Sequence, residues 1–234
     1  MKSQTPIQDR HLRMRKTFIA LFGLAIFGSL AKAQSLSQAD VKNLLDRIRE
    51  KRAATPQVQA DFQEEKVIRL MNKPIVSVGK VWFQPPNKFR REVEGNSPSI
   101  TVSNGQQLWI YYPNFKSAEH YSLGKRSPVD SAIAAINTAL NLENVGSTFQ
   151  ITGEKIGNGY ALHLLPRSPS MTRIFQKLDL RISPELFVER TEMLQSNGDR
   201  LVTTYSNHSR TPIPAATFEF TPPTGVETTT PLGR

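Results

Sequence analysis

The stretch from Ile174 to Ile182 constrains the fold most. Ile174, Gln176, Leu178, Leu180 and Ile182 fall on one face, and Phe175, Lys177, Asp179 and Arg181 fall on the other. A period of two with one largely apolar face marks a half-buried antiparallel strand, because successive side chains of a strand point to opposite sides. Shorter runs repeat the pattern. Val58, Ala60 and Phe62 alternate with Gln59, Asp61 and Gln63, and further strands are expected at 75–84, 88–94, 100–102, 108–112, 148–154, 159–165, 172–182, 187–195, 200–207 and 218–220. Turn residues separate them: Pro85-Pro86-Asn87, Gly157-Asn158-Gly159 and Ser196-Asn197-Gly198-Asp199. Asn104-Gly105 offers two residues that tolerate positive φ, so a tight hairpin is expected there. Short strands in meander order predict a mainly β (α+β) chain. Its curved antiparallel sheet should form an incomplete barrel of about ten or eleven strands.

Two helices interrupt this pattern. Ser37 and Asp40 form a capping-box-like S-x-x-D, Leu36 can staple against Val41, and Val41, Leu44, Leu45 and Ile48 repeat at helical spacing. Pro56 ends this helix near Ala54. The second helix spans 127–142, opening with Ser127, Pro128 and Asp130 and carrying Ala132, Ile133, Ala135, Ile136, Ala139 and Leu140. Both helices are expected to cover the concave face or open mouth of the sheet.

The amino terminus predicts export. Arg10, Arg13, Arg15 and Lys16 precede an apolar run from Phe18 to Leu30 and the small-x-small site Ala31-Lys32-Ala33. This is the order of a cleavable signal peptide, with cleavage expected before Gln34 and Met14 as an alternative start. The domain division is therefore 1–33 as signal peptide and 34–234 as a single domain. Of the formal +10 charge, residues 1–33 hold six Lys/Arg and one Asp, leaving 24 basic and 19 acidic residues spread along the mature chain. Nucleic-acid binding would need the basic residues clustered. The chain has no cysteine, which excludes disulfides, thiolate metal sites and a lipidated Cys at the cleavage point.

Little in the sequence points to catalysis. His120, His163 and His208 lie outside metal-ligand spacing, and no nucleophile elbow or phosphate loop is present. Asp61, Glu64 and Glu65 are acidic neighbours, but Asp61 and Glu64 differ in strand parity, so a solvated face is expected. No catalytic residue, cofactor or metal is assigned, and the chain is read as a non-enzyme. Phe62, Val81, Trp82, Phe83, Phe89, Trp109, Tyr111 and Tyr112 instead crowd the first half of the sheet. A curved sheet that does not close offers these residues a concave apolar site.

Several segments resemble the LolA-type outer-membrane lipoprotein carriers. Val58-Gln59-Ala60-Asp61-Phe62-Gln63 is similar to the first strand of that family, and Gly79-Lys80-Val81-Trp82-Phe83 with Pro86-Asn87-Lys88-Phe89-Arg90 is similar to its G-x-x-W…P-x-x-F-R segment. Ser103 to Tyr111 resembles its hairpin, and Phe218 to Val226 resembles its closing F-x-F-x-P-P-x-G-V. The resemblance implies an incomplete barrel with a helical lid that shuttles acylated lipoproteins across the periplasm, from an inner-membrane ABC-type release complex to an outer-membrane acceptor where one exists. The carrier is expected to be a monomer. The implied lipid cavity includes Phe62, Val81, Phe83, Phe89, Trp109, Tyr111, Ile133, Ile136, Leu140 and Leu178, with Phe89 near its mouth. Pro85 stands where well-known members carry an Arg that tethers the lid; Arg90 and Arg91 are the nearest basic residues and are assigned to lid or mouth. The alternatives are a carrier of another envelope amphiphile such as a glycolipid, or a non-transporting envelope sensor.

Overall fold

Alternation places the apolar side chains of the long strands on a common face, and backbone pairing joins the strands into one sheet. A computed structural model describes residues 33–54, 56–123, 142 and 145–231. These all lie within one compact unit, Ala31–Arg234. The expected helix at 127–142, with Ile133, Ile136 and Leu140, falls outside the described residues apart from Leu142.

The elements in chain order are β1 (Gln34–Ser35), α1 (Gln38–Ala54), β2 (Val58–Val67), β3 (Ile75–Gln84), β4 (Lys88–Glu94), β5 (Ser99–Ser103), β6 (Gln107–Tyr112) and β7 (Ser117–Ser122). Then come α2 (Val145–Thr148), β8 (Phe149–Ile156), β9 (Gly159–Pro166), α3 (Pro169–Thr172), β10 (Phe175–Ile182), β11 (Val188–Gln195), β12 (Arg200–Ser209) and β13 (Glu227–Thr229). The thirteen strands lie in the order β1-β8-β9-β10-β11-β12-β2-β3-β4-β5-β6-β7-β13. Two meanders, β2–β7 and β8–β12, are therefore joined where β12 pairs antiparallel with β2, and β13 closes the far edge by pairing parallel with β7. The sheet is open and curved, as the alternation predicts. The strand count exceeds expectation because polar β7 and the short edge strands β1 and β13 lack an apolar alternation.

Helix α1 forms for the reasons visible in its sequence. The Ser37 hydroxyl accepts from the Asp40 N–H at 3.2 Å, and the Ser37 N–H donates back to Asp40 Oδ2 at 3.2 Å. The two groups thus satisfy otherwise unpaired donors of the first turn. Val41, Leu44 and Ile48 are buried against Ile151, Leu162, Leu164, Leu178, Leu180 and Ile182 of β8–β10. Helix α1 thus fills the concave face over the second meander. It leaves the face over β2–β6 to other groups.

Three local expectations are corrected. The alternation of β10 breaks at a bulge between Phe175 and Lys177, so Phe175 turns inward with Leu178, Leu180 and Ile182, while Ile174 is 40% exposed. At the β5–β6 hairpin only Gly105 has positive φ, at +93°. Asn104 instead accepts the Gln106 and Gln107 N–H groups on its side chain, both at 3.0 Å. The expected strand at 218–220 is a 3₁₀ turn at Ala215–Phe218 followed by an extended strap, which turns at Gly225 (φ +81°) before β13.

Gly79 permits the close approach of β3 and β4. A Cβ there would overlap the Glu92 carbonyl oxygen and stand 3.1 Å from the Phe62 ring. Gly79→Ala is expected to cost about 1–3 kcal/mol through overpacking, and Ser37→Ala about 1 kcal/mol through loss of the cap. Chemical denaturation of each variant checks both values.

Candidate functional site

The concave face not covered by α1 encloses a cavity of about 480 Å³. Strand parity builds it. Val58, Ala60, Phe62 and Glu64 of β2 point inward, and cross-strand pairing sets Val58 opposite Phe83 and Ala60 opposite Val81. The same two rows continue through β4: Phe83 pairs with Phe89, and Val81 with Arg91. Leu108 extends the lining on β6, and Leu178, Thr191, Met193, Leu201, Thr203 and Tyr205 supply it from β10–β12. Phe62, Phe83, Leu108 and Leu178 are buried; Val81 and Phe89 are half-buried. Arg52, His208 and Arg210 also line the cavity. Arg210 stands 4.7 Å from the centroid of the Phe187 ring, and burial lowers the pKa of its guanidinium.

The structure thus brings together Phe62, Val81, Phe83, Phe89 and Leu178 of the residues singled out from the sequence. Trp109 and Tyr111 face the other way. Trp109 stacks on His120 at 4.2 Å, and both Trp109 and Tyr111 pack on Phe220 of the carboxy-terminal strap, at 5.8 and 5.6 Å. Arg90 shares that outer face. Its Nε donates to Glu92 at 2.6 Å and its Nη1 to the Thr217 carbonyl at 3.3 Å, which fastens the strap to β4. Pro85 sits in the β3–β4 turn and does not line the cavity.

Arg91, expected at the lid or mouth, lines the cavity itself and is paired there with Glu64. Arg91 Nη2 lies 2.8 Å from Glu64 Oε1, and its guanidinium covers the Phe62 ring at 4.3 Å. The Thr203 hydroxyl donates to Glu64 Oε2 at 3.3 Å. Glu64 therefore faces the cavity rather than solvent, which corrects the solvated-face expectation for it; Asp61 lies on the opposite face and accepts from the Asn207 amide at 2.7 Å. Spacing held the signal: Glu64 is two residues from Phe62, and Arg91 two from Phe89, so each shares the inward parity of its aromatic neighbour. Burial pushes the Tyr205 phenol up, and the Glu64 charge adds to this against the Thr191 and Thr203 hydrogen bonds and the Arg91 charge.

The histidines are dispersed. His163 lies on the outer face with Nδ1 2.6 Å from Asp179 and Nε2 3.6 Å from Glu154. His208 stacks on Phe187 at 4.7 Å. Among the described residues, no group of three or more His, Asp or Glu is placed to hold a metal ion. None of their helices is long and apolar enough to cross a membrane.

The family model described as outer membrane lipoprotein carrier protein LolA matches residues 53–221, which include the cavity-forming strands β2–β6 and β10–β12. The chain belongs to the LolA family. Its relatives include the outer-membrane lipoprotein carrier protein of Dechloromonas aromatica, 28% identical over 174 residues that cover 74% of this chain and 81% of the relative. The protein of the same name from Coxiella burnetii is 24% identical over 215 residues, covering 91% and 96%. A solved structure of a LolA superfamily protein from Nitrosomonas europaea superposes with TM-score 0.44 and 15% identity, covering 76% and 97%.

On the cavity face beyond Leu108, the Tyr121 hydroxyl donates to Glu119 Oε2 at 2.6 Å. Burial, with the Glu119 hydrogen bond and charge, pushes this phenol up to about 12. The folded state keeps Tyr121 protonated after the unfolded chain has begun to ionise near pH 10. Its contribution is therefore complete below about pH 10 and is lost as the pH rises toward about 12. An alkaline absorbance titration should show a native-state tyrosine step near pH 12 that Tyr121→Phe removes.

Proposed function

We propose that this LolA-family chain is a periplasmic carrier that takes lipoprotein acyl chains into the β2–β6/β10–β12 cavity and moves them from the inner to the outer membrane. The observation that carries the reading is an apolar cavity of about 480 Å³ on the concave face of an open sheet. Its size falls within the range of roughly 300–1,000 Å³ usual for small-molecule sites. Each methylene that leaves water for such a site contributes ~0.8 kcal/mol. Binding and release then suffice, with no bond made or broken by this chain.

The names of the curated relatives support lipoprotein as cargo, and the amino-terminal leader pattern supports the periplasm as the place of action. In this reading residues 1–33 are removed and residues 34–234 work as one domain. An inner-membrane ABC-type complex supplies the cargo, and the outer membrane, through an acceptor where one exists, receives it. The sequence at 127–142, rich in Ala and Ile, is proposed to form a helix that serves as the lid, with Ile133, Ile136 and Leu140 toward the acyl chain.

Purification of the mature protein from its native periplasm, followed by mass spectrometry of what co-purifies, tests the cargo. Triacylated lipoprotein is expected; free glycolipid without lipoprotein would replace this reading with that of a glycolipid carrier. Phe89→Glu places a charge on the cavity wall, and burying an unpaired carboxylate is costly. The variant should keep its far-ultraviolet circular dichroism and lose transfer of lipoprotein cargo in a reconstituted assay. Unchanged transfer would count against the cavity as the carrying site.

A further inference from the structure

Arg91 and Glu64 are an unusual pair to find in an acyl cavity. Removing an ion pair from water costs several kcal/mol per ion, and apolar residues of similar volume are often at least as stabilising. Packing stability therefore does not account for them. Nor do they satisfy each other. A carboxylate meets a guanidinium best through two parallel N–H···O bonds. Here one carboxylate oxygen approaches one nitrogen at 2.8 Å, the other oxygen accepts from Thr203, and the buried Arg91 Nη2 has no hydrogen-bond partner among the described residues. The guanidinium is held against the Phe62 ring but remains short of an acceptor. Its side chain is 29% exposed, and the space it faces is the cavity.

The surroundings of Arg91 point the same way: it lines a mostly apolar cavity, where a low dielectric strengthens the attraction of a guanidinium for an anion. Val81 pairs with Arg91 across the β3–β4 ladder, and the neighbouring row is Phe83 and Phe89. A tail lying along these apolar side chains brings an acid group at its end to Arg91.

We propose that Arg91 is an anion-binding residue inside the acyl cavity, with Glu64 as a competing internal acceptor, so that the chain prefers amphiphiles whose acyl chain ends in a carboxylate or phosphate over neutral ones. The assignment rests on the acyl-binding reading of the cavity. It adds a ligand class to the lipoprotein acyl chains, single-chain acids: such a ligand replaces the poorly aligned Glu64 contact with a two-oxygen contact to the guanidinium.

The test measures binding of palmitate, hexadecyl phosphate and hexadecanol to the full mature chain by isothermal titration below their micellar concentrations. Wild type should bind one or both of the acids at least tenfold more tightly than the alcohol, as a charge-assisted hydrogen bond predicts, and the better acid identifies the head group. Arg91→Met should lower the acid-to-alcohol affinity ratio to about one. Glu64→Gln, which removes the competitor, should raise the acid-to-alcohol affinity ratio several-fold. If Arg91→Met is poorly folded because Glu64 is left unpaired, Arg91→Met/Glu64→Gln removes both charges and should show the same loss of discrimination. Equal wild-type affinity for all three ligands, or a discrimination that survives removal of Arg91, overturns the assignment and leaves the acyl cavity standing. Failure of wild type to bind any of the three overturns the acyl-cavity reading and this assignment together.

Discussion

The structure depends on a mismatch between one curved sheet and the helix that covers it. Strand parity turns the apolar side chains of β2–β6 and β8–β12 to a common face, and that face must leave water. Helix α1 supplies Val41, Leu44 and Ile48 to β8–β10, where the side chains close into a dense core. None of its buried residues joins a core cluster with β2–β6. The apolar surface that α1 leaves there becomes the wall of a cavity, and this wall is the proposed binding site. The two meanders meet at β2 and β12, and Phe62, Glu64, Thr203 and Tyr205 at this junction belong to the cavity wall.

The outer face is organised differently. The carboxy-terminal strap crosses it, with Phe220 against Trp109 and Tyr111 and the Thr217 carbonyl held by Arg90. The large aromatic residues of the first meander are thus divided between two tasks. Phe62, Phe83 and Phe89 face the cavity, and Trp109 and Tyr111 seat the strap that leads to β13. Gly79 lies where the two strands and the Phe62 ring converge, which explains the absence of a side chain at that point in an otherwise apolar strand.

Much of this was legible in the sequence, for reasons that can be assigned to particular residues. The α1 cap and its apolar stripe are local, and both appear as read. Phe62, Val81, Phe83 and Phe89 follow from alternation around the β3–β4 turn. Trp109 and Tyr111 were assigned to the wrong face because both faces of this sheet are covered, one of them by a segment more than a hundred residues further on, so an aromatic residue does not reveal its side. The register of Phe175 needed the bulge, which leaves no strong sequence mark. Arg91 was placed at the lid or mouth and Glu64 on a solvated face because a charged residue in a strand is ordinarily read as facing solvent. Their parity with Phe89 and Phe62 contradicted that reading and was the better guide.

The central claim is that acyl chains occupy the space between β2–β6 and β10–β12, on the face away from the strap. Paramagnetic relaxation of the protein's amide signals by a doxyl-labelled acyl chain tests it most directly. The account predicts strong broadening at Phe62, Val81, Phe89 and Leu178, with Trp109, His120 and Phe220 spared. Broadening centred on Trp109 and Phe220, or none that saturates with ligand, would contradict it.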